Sequence, residues 1–211
     1  ASTKAFTCQL VTLAAFSISL GVAKNNINKN QAKKLSRAIS EIPSKISDIL
    51  SDGLNIKLIA ESLSKVSNVL YIGRGSEYPI ALEGALKLKE ISYIHSEGFA
   101  AGELKHGPIA LIEKGVPVIV IAPKGDLYEK TISNMQEVIA RGAKVILLTD
   151  SKNDKNIDEK VWKVISMPTV ENFVNPILYS IPVQLIAYHV AVAKGTDVDQ
   201  PRNLAKSVTV E

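Results

Sequence analysis

The sequence predicts an α/β protein built on a parallel β-sheet that is covered by helices on both faces. Three apolar runs, at 69–72, 116–122 and 144–150, alternate with stretches whose apolar residues recur at helical spacing. The runs are apolar at successive positions, which is typical of strands buried on both faces rather than on one. Alternation of such strands with amphipathic helices favours a parallel sheet between two helix layers.

The N-terminal region predicts helices only. The first begins with Ser2 or Thr3 as its N-cap and ends near Gly21. The second has apolar residues at helical spacing on one face, and Pro43 is expected to kink it or to break it. The three predicted helices span residues 3–23, 30–51 and about 56–64.

The remaining elements alternate in type up to a tail of different character. Their predicted order is strand 69–72, helix 77–94, strand 116–122, helix 126–141, strand 144–150, strand 161–165 and helix 176–194. The 161–165 strand alternates more and is expected at an edge, and 95–101 could supply one more short strand. The tail, 196–211, lacks sustained periodicity. It is either a frayed terminus or a segment that docks through apolar residues such as Leu204 and Val208.

Composition excludes several classes of protein. The chain has 211 residues, of which 46% are hydrophobic, and a net charge of +4 with both signs interspersed. These values predict one sizeable packed domain, or one domain plus extra helices, and they do not favour a nucleic-acid partner. The single cysteine, Cys8, excludes an intrachain disulfide framework and suits a reducing cytosol.

The apolar run at 10–23 resembles a signal peptide after Lys4. The run is shorter than a bilayer span and is diluted by polar residues, so a buried helix is the favoured interpretation over a targeting or membrane segment. The chain begins at Ala1 rather than at a methionine, which suggests a fragment of a longer protein.

The turn Gly73–Ser76 follows a strand and precedes a helix. Glycines there would let the backbone approach an anion at the helix N-terminus, but the same sequence also suits a simple tight turn, and the two interpretations are equally weighted. Parallel sheets bind ligands beyond the carboxyl ends of their strands. We therefore expect a site that involves 73–76, the stretch after 101, 122–125 and the end of the chain.

One helix carries three charged residues near a single face. Lys87 lies one turn after Glu83 and three residues before Glu90. At this spacing the commoner meaning is a solvated ladder of ion pairs. If the face lies in a cleft instead, Glu90 could act as a general base beside Lys87.

Histidines give a weaker signal. His106 is predicted to lie in a loop, between charged residues and a Gly-Pro turn, where catalytic residues are often found. His95 is less suggestive, and His189 is expected to be a packed helix residue. No cluster of His, Cys or carboxylate residues has the spacing of a metal site.

Four segments together resemble the glutamine:fructose-6-phosphate aminotransferase family, the glucosamine-6-phosphate synthases. The matching stretches are 1–7 (in the form found in bacteria), 83–93, 101–108 and 197–211, and the resemblance covers nearly the whole chain. It implies a sugar isomerase (SIS) fold with a flavodoxin-like, five-stranded parallel sheet. It also implies three regions: the end of a first SIS subdomain and connecting helices (1–64), a second SIS subdomain (65–195) and a catalytic tail (196–211).

The resemblance assigns a role to each site residue. Lys206 would form a Schiff base with C2 of open-chain fructose 6-phosphate. Glu90 would carry a proton between C1 and C2, assisted by Lys87, and His106 would help open the sugar ring in the site of a neighbouring subunit. Ser2 and Ala205 would contact the sugar.

The family also has parts that this chain lacks. These are a glutaminase domain with an N-terminal cysteine and a Ser/Thr-rich phosphate loop in the first SIS subdomain; the corresponding loop here, 122–126, lacks hydroxyl groups. The resemblance further implies a cytoplasmic bacterial homodimer in amino-sugar synthesis (the UDP-N-acetylglucosamine pathway), with no metal or organic cofactor. Two other hypotheses stay open: a SIS module that binds sugar phosphates without catalysis, and a structural half that is inert alone.

Overall fold

Five parallel strands form the central sheet of the computed structural model, which describes residues 2–51, 53–151, 157 and 159–204. The strands are β1 (Asn68–Gly73), β2 (His95–Ala100), β3 (Pro117–Ile121), β4 (Lys144–Thr149) and β5 (Lys163–Ser166). Their order in the sheet is β2-β1-β3-β4-β5, and every neighbouring pair is parallel. This is the flavodoxin-like order, so the predicted α/β class and five-stranded sheet are confirmed.

Six helices surround the sheet in the described part of the chain. They are α1 (Thr3–Ala23), α2 (Lys29–Ser51), α3 (Gly53–Leu63), α4 (Glu77–Ser92), α5 (Tyr128–Ile139) and α6 (Asn175–Lys194). Short 3-10 helices occupy Ala101–His106, Pro108–Leu111 and Asn172–Val174. The tentative strand at 95–101 is present as β2 at one edge of the sheet, and β5 lies at the other edge, as expected.

The core divides into two apolar layers because successive strand residues point to opposite faces. Tyr71 and Ile119 pack on the side of α3, α4 and α6. Their neighbours Ile72 and Val120 pack on the side of α5, against Met135. The strands are therefore buried on both faces, as their continuous apolar runs predicted.

The second helix passes through its proline without a break. Of the kink or break expected at Pro43, the break does not occur, because α2 is continuous from Lys29 to Ser51 with Pro43 inside it. Pro43 is exposed, whereas its neighbour Ile42 is buried in the core. Burial of the opposite face holds the helix together across the hydrogen bond that proline cannot donate.

The first helix is much less buried than expected. Only Ile18 of α1 is buried, while Leu13 and Phe16 are exposed on the side away from α2 and α6. The whole helix that contains the apolar run has 21 residues, about the length of a bilayer span.

Among the residues that the structure describes, two segments could cross a membrane by length and composition alone: α1 and Asn172–Lys194. Most of the second segment is buried inside the protein, as in the core helix of a soluble protein, which passes the same test.

Candidate active site

Helix α4 presents the charged face that the sequence singled out. The helix packs against β1, β2 and α6, and ten of its residues are buried. Its close approach to the sheet depends on Gly84, where a Cβ atom would lie 2.6 Å from Cε1 of Tyr71. This tight packing removes most of the helix surface from water.

Three charged side chains on this face form one group, in which Glu83 and Lys87 are buried and Glu90 is half-buried. The Lys87 ammonium lies 2.7 Å from Oε2 of Glu90 and 4.0 Å from Oε1 of Glu83. The side chains of Glu83, Lys87 and Glu90 are 7%, 8% and 23% exposed. The interpretation as a solvated ladder is therefore wrong, because α6 covers the face.

The group contains two carboxyl groups and one ammonium, so the single positive charge cannot neutralise both carboxylates. Burial raises the pKa of Glu83, and the positive charge of Lys87 offsets only part of this effect. The shorter of the two contacts joins Lys87 to Glu90, which is also the most exposed of the three side chains. Glu90 is thus the carboxylate that a ligand could reach, and Lys87 is the buried cation that stabilises its negative charge.

Lys87 opens into a cavity of about 450 Å³. The cavity lies between α1, α2, α4, α6 and the tail, and most of its lining is apolar. Thr3, Gln184 and Asp199 supply further polar groups. Ser2 precedes Thr3, is exposed, and makes no side-chain hydrogen bond as an N-cap, so its hydroxyl is not committed to the helix.

Glu90 opens instead into a groove of about 360 Å³ beside the C-terminal end of α4. Tyr93 lines this groove, and so do Arg202, Asn203 and Leu204 of the tail. The 2.7 Å contact between Lys87 and Glu90 therefore lies between the cavity and the groove. Lys206 and Ala205, the predicted Schiff-base and sugar-contacting residues, lie outside the described residues.

His106 lies apart from this group. It belongs to a short 3-10 helix rather than to a loop, its side chain is 72% exposed, and Nδ1 lies 2.7 Å from Oε2 of Glu103. Within the described ranges it lines neither the cavity of Lys87 nor the groove of Glu90. His95 is also exposed, 3.6 Å from Glu97. His189 lies on α6, as predicted, and is half-buried there, and this burial lowers its pKa.

The strand ends build a separate, smaller cavity of about 200 Å³. Arg74, Ser76 and Lys124 line it, together with the buried Glu77. The Arg74 guanidinium donates a hydrogen bond to Oδ1 of Asn134 at 2.9 Å. A Cβ atom at Gly73 would lie 2.4 Å from the carbonyl oxygen of Glu77, so packing requires glycine at this position whether or not the turn binds an anion. Anion binding at this turn stays a prediction.

The expected single site at the strand ends is therefore divided. Residues 73–76 and 122–125 meet in the small cavity, whereas Lys87 and Glu90 lie toward the other end of α4, where the tail joins them. Sequence reasoning missed Gln184 and Asp199. Gln184 could have been noticed as a polar residue within an otherwise apolar helix. Among the described residues, no group of three His, Cys, Asp or Glu side chains could hold a metal ion.

Comparison with known proteins gives three kinds of match. The SIS domain family matches residues 62–194. The glutamine–fructose-6-phosphate aminotransferase [isomerizing] of Mesorhizobium japonicum is 57% identical over all 211 residues, and that of Brucella melitensis is 56% identical. The chain spans 35% of the length of each of these relatives.

Solved structures agree with the sequence comparisons. The C-terminal domain of glucosamine-fructose-6-phosphate aminotransferase from Francisella tularensis is 44% identical, with a TM-score of 0.91 over 95% of this chain and 56% of that one. Glucosamine-6-phosphate deaminase from Thermotoga maritima shares the fold, with a TM-score of 0.59 and 22% identity over 90% of this chain and 52% of that one. The predicted SIS fold and the resemblance to the aminotransferases are thereby confirmed.

Proposed function

Because the chain belongs to the SIS domain family, we propose that it supplies the sugar-isomerising chemistry of a glutamine–fructose-6-phosphate aminotransferase. The observation that carries this proposal is the buried Lys87 ammonium, 2.7 Å from a carboxylate of Glu90 that is accessible from a groove. A base for C–H chemistry needs both access to the substrate and a partner that controls its charge. The similarity to aminotransferases along the whole chain supports the same assignment.

In the proposed reaction, the Lys206 amine attacks C2 of open-chain fructose 6-phosphate and water leaves, which forms an imine. Ammonia adds to C2 of the protonated imine and the lysine amine leaves, so that the sugar now carries a protonated imine of ammonia at C2. This imine draws electrons from the C1–H bond, so the Glu90 carboxylate can remove that proton. Return of the proton to C2 leaves an amine there, and C1 becomes the aldehyde. The balance is fructose 6-phosphate plus ammonia giving glucosamine 6-phosphate plus water.

The described residues support particular roles for Lys87 and for the tail. Lys87 stabilises the Glu90 carboxylate before it accepts the proton, since the two are hydrogen-bonded and Lys87 is buried. Leu204 lines the groove of Glu90, and two residues of extended chain span at most about 7 Å. Lys206 is therefore close enough in sequence to reach the groove. Ser2 and Ala205 are assigned to sugar binding.

The remaining assignments concern partners. His106 opens the sugar ring in the site of a second copy of the chain, in a homodimer, because its exposed imidazole lies outside the cavity and the groove. A glutaminase domain of the same parent chain supplies ammonia, and the protein acts in the bacterial cytoplasm. A module that only binds sugar phosphates would not need the pair of the buried Lys87 and the accessible Glu90, so we prefer the enzyme.

Mixing of inactive variants tests both the base and the composite site in the full-length protein. We expect Glu90→Gln and His106→Ala each to lower activity about 10²- to 10⁴-fold. In mixed dimers of the two, one site regains Glu90 from one subunit and His106 from the other. Random pairing should then restore about one quarter of wild-type activity.

A matched control mixes Glu90→Gln with Lys87→Met. Both residues belong to the same subunit in each site, so this mixture has no intact site and should stay inactive. Full activity of Glu90→Gln alone would overturn the role of the base. Failure of the first mixture to recover, with both single variants inactive, would overturn the assignment of His106 to a neighbouring subunit.

A further inference from the structure

The described part of the tail folds back over the C-terminal end of α4. Oγ1 of Thr196 donates a hydrogen bond to the carbonyl oxygen of Ile91 at 2.6 Å. Oδ1 of Asp197 then accepts hydrogen bonds from the backbone N–H groups of Asp199 and Gln200, at 2.8 and 2.9 Å, and closes a turn. These contacts reverse the chain direction after α6 and bring the tail toward the groove of Glu90.

Tyr93 connects the end of α4 to the tail through two contacts with Arg202. Its hydroxyl accepts a hydrogen bond from the backbone N–H of Arg202 at 2.9 Å. The guanidinium of Arg202 also lies over its ring, 4.2 Å from the centroid, which is within the range of a cation–π interaction. Two contacts of different physical kinds thus converge on one side chain, while Arg202 itself is exposed.

The backbone conformation of Tyr93 is unusual for a tyrosine. Tyr93 is the C-cap of α4, and its φ of 61° lies in the left-handed region. Glycine is favoured at such positions and bulky residues rarely adopt them. The left-handed conformation is unfavourable for tyrosine. The contacts of its ring and hydroxyl with Arg202 offset this unfavourable backbone energy.

We propose that Tyr93 and Arg202 form a latch that positions the tail for catalysis. Tyr93 lies three residues after Glu90, and Lys206 lies four residues after Arg202. Both partners of the latch line the same groove as Glu90. The latch holds the tail at a fixed point near the base, so the Lys206 amine meets C2 of the sugar where Glu90 can reach C1. This role rests on the function proposed above.

The latch residues are positioning residues, so their test must report on Lys206. In the full-length protein, borohydride traps the imine with fructose 6-phosphate, and mass spectrometry measures the rate at which Lys206 is modified. We expect Tyr93→Gly and Arg202→Met each to lower this rate and kcat about 10- to 100-fold at saturating sugar, since small misplacements of reacting groups have effects of this size. KM should change little.

Two further variants separate the parts of the latch. Tyr93→Phe removes only the hydroxyl and should have a smaller effect than Tyr93→Gly. The double variant Tyr93→Gly/Arg202→Met should be no slower than the slower single variant, because either change opens the same latch. Tyr78→Phe, at the opposite end of α4, and Arg37→Met, on α2, serve as controls that should trap Lys206 at the wild-type rate.

The outcomes distinguish the latch from the function on which it rests. If the wild-type protein gives no adduct on Lys206, the proposed Schiff base is wrong. An adduct that forms at the same rate in wild-type, Tyr93→Gly and Arg202→Met proteins would overturn the latch alone. Should Tyr93→Gly unfold, Tyr93→Phe and Arg202→Met decide the question, and wild-type rates in both would reject the proposal.

Discussion

The first two turns of α4 bury two carboxyl groups in different surroundings. Glu83 has the Lys87 ammonium 4.0 Å away, whereas Glu77 has a hydrogen bond from the Ser76 hydroxyl to Oε1 at 3.1 Å. The other carboxyl oxygen, Oε2, has no hydrogen-bond partner within the described ranges. Burial therefore raises the pKa of Glu77 to about 7, against an ordinary value of 4.5. A neutral carboxyl group at this position is the stable form in mildly acidic solution.

This pKa predicts how stability depends on pH. Between pH 4.5 and 7 the unfolded chain loses the Glu77 proton while the folded chain keeps it, so the folded state is progressively destabilised as the pH rises. Above pH 7 the loss is complete, at up to about 3 kcal/mol. Glu77→Gln removes this titration. Urea denaturation measures the free energy of unfolding of both proteins. The value for Glu77→Gln minus the value for wild type should be more positive at pH 8 than at pH 5.

Glu129→Gln is a suitable control, because Glu129 also lies in the first turn of a helix but is exposed. It should show little change between the two pH values. A difference between Glu77→Gln and wild type that is the same at pH 5 and pH 8 would contradict the account of Glu77.

Residue patterns could predict which charges share a face, but not their burial. The spacing of Glu83, Lys87 and Glu90 is the same in a surface ladder and in a buried group. Burial here depends on α6, which lies about 100 residues further along the chain, and on the close approach that Gly84 allows. The role of Lys206 stays a prediction from the family resemblance, because no local pattern distinguishes a nucleophilic lysine from a solvated one.

At the scale of elements, the contact between α4 and β2 sets the position of the charged face. Ser96 of β2 donates a hydrogen bond to the carbonyl oxygen of Ala85 at 2.7 Å. At Gly98 the strand comes so close that a Cβ atom would lie 2.8 Å from the backbone nitrogen of Leu82. Backbone atoms cannot move aside as a flexible side chain can, so glycine is required at this point of the interface.

Gly98→Ala should therefore destabilise the protein by about 1–3 kcal/mol, the usual range for overpacking. Thermal unfolding would show a lower Tm. Gly53→Ala is the matched control: a Cβ atom there meets nothing within 4 Å, and alanine should stabilise the start of α3 by about 0.5–1 kcal/mol. Equal stability of Gly98→Ala and wild type would show that the interface is looser than described.

The strands that the sequence predicts correctly are those buried on both faces, because such strands are continuously apolar. β1, β3 and β4 are of this kind. β2 was only tentative, because Glu97 and Gly98 interrupt its pattern, and its place is fixed by pairing with β1 along His95–Ala100. The exposed face of α1 could not be predicted, since it depends on which neighbours cover the helix.

At the scale of the whole molecule, the proposed catalytic residues lie away from the sheet edge where ligands usually bind in folds of this kind. In open parallel sheets ligands usually bind at the carboxyl ends of the strands, where the cavity of about 200 Å³ lies. Lys87 and Glu90 lie instead toward the C-terminal end of α4, facing α6 and the tail. The fold alone therefore does not locate the site. The region boundaries predicted at 64 and 195 stay predictions.

The most direct test of the central claim is borohydride trapping of the proposed imine. The full-length protein is incubated with fructose 6-phosphate, reduced and mapped by mass spectrometry, with sorbitol 6-phosphate as a control that has no carbonyl group. We predict one adduct, on Lys206, that forms with the ketose and not with the control. Adducts scattered over many lysines, or none at all, would contradict the assignment of Lys206 as the Schiff-base residue.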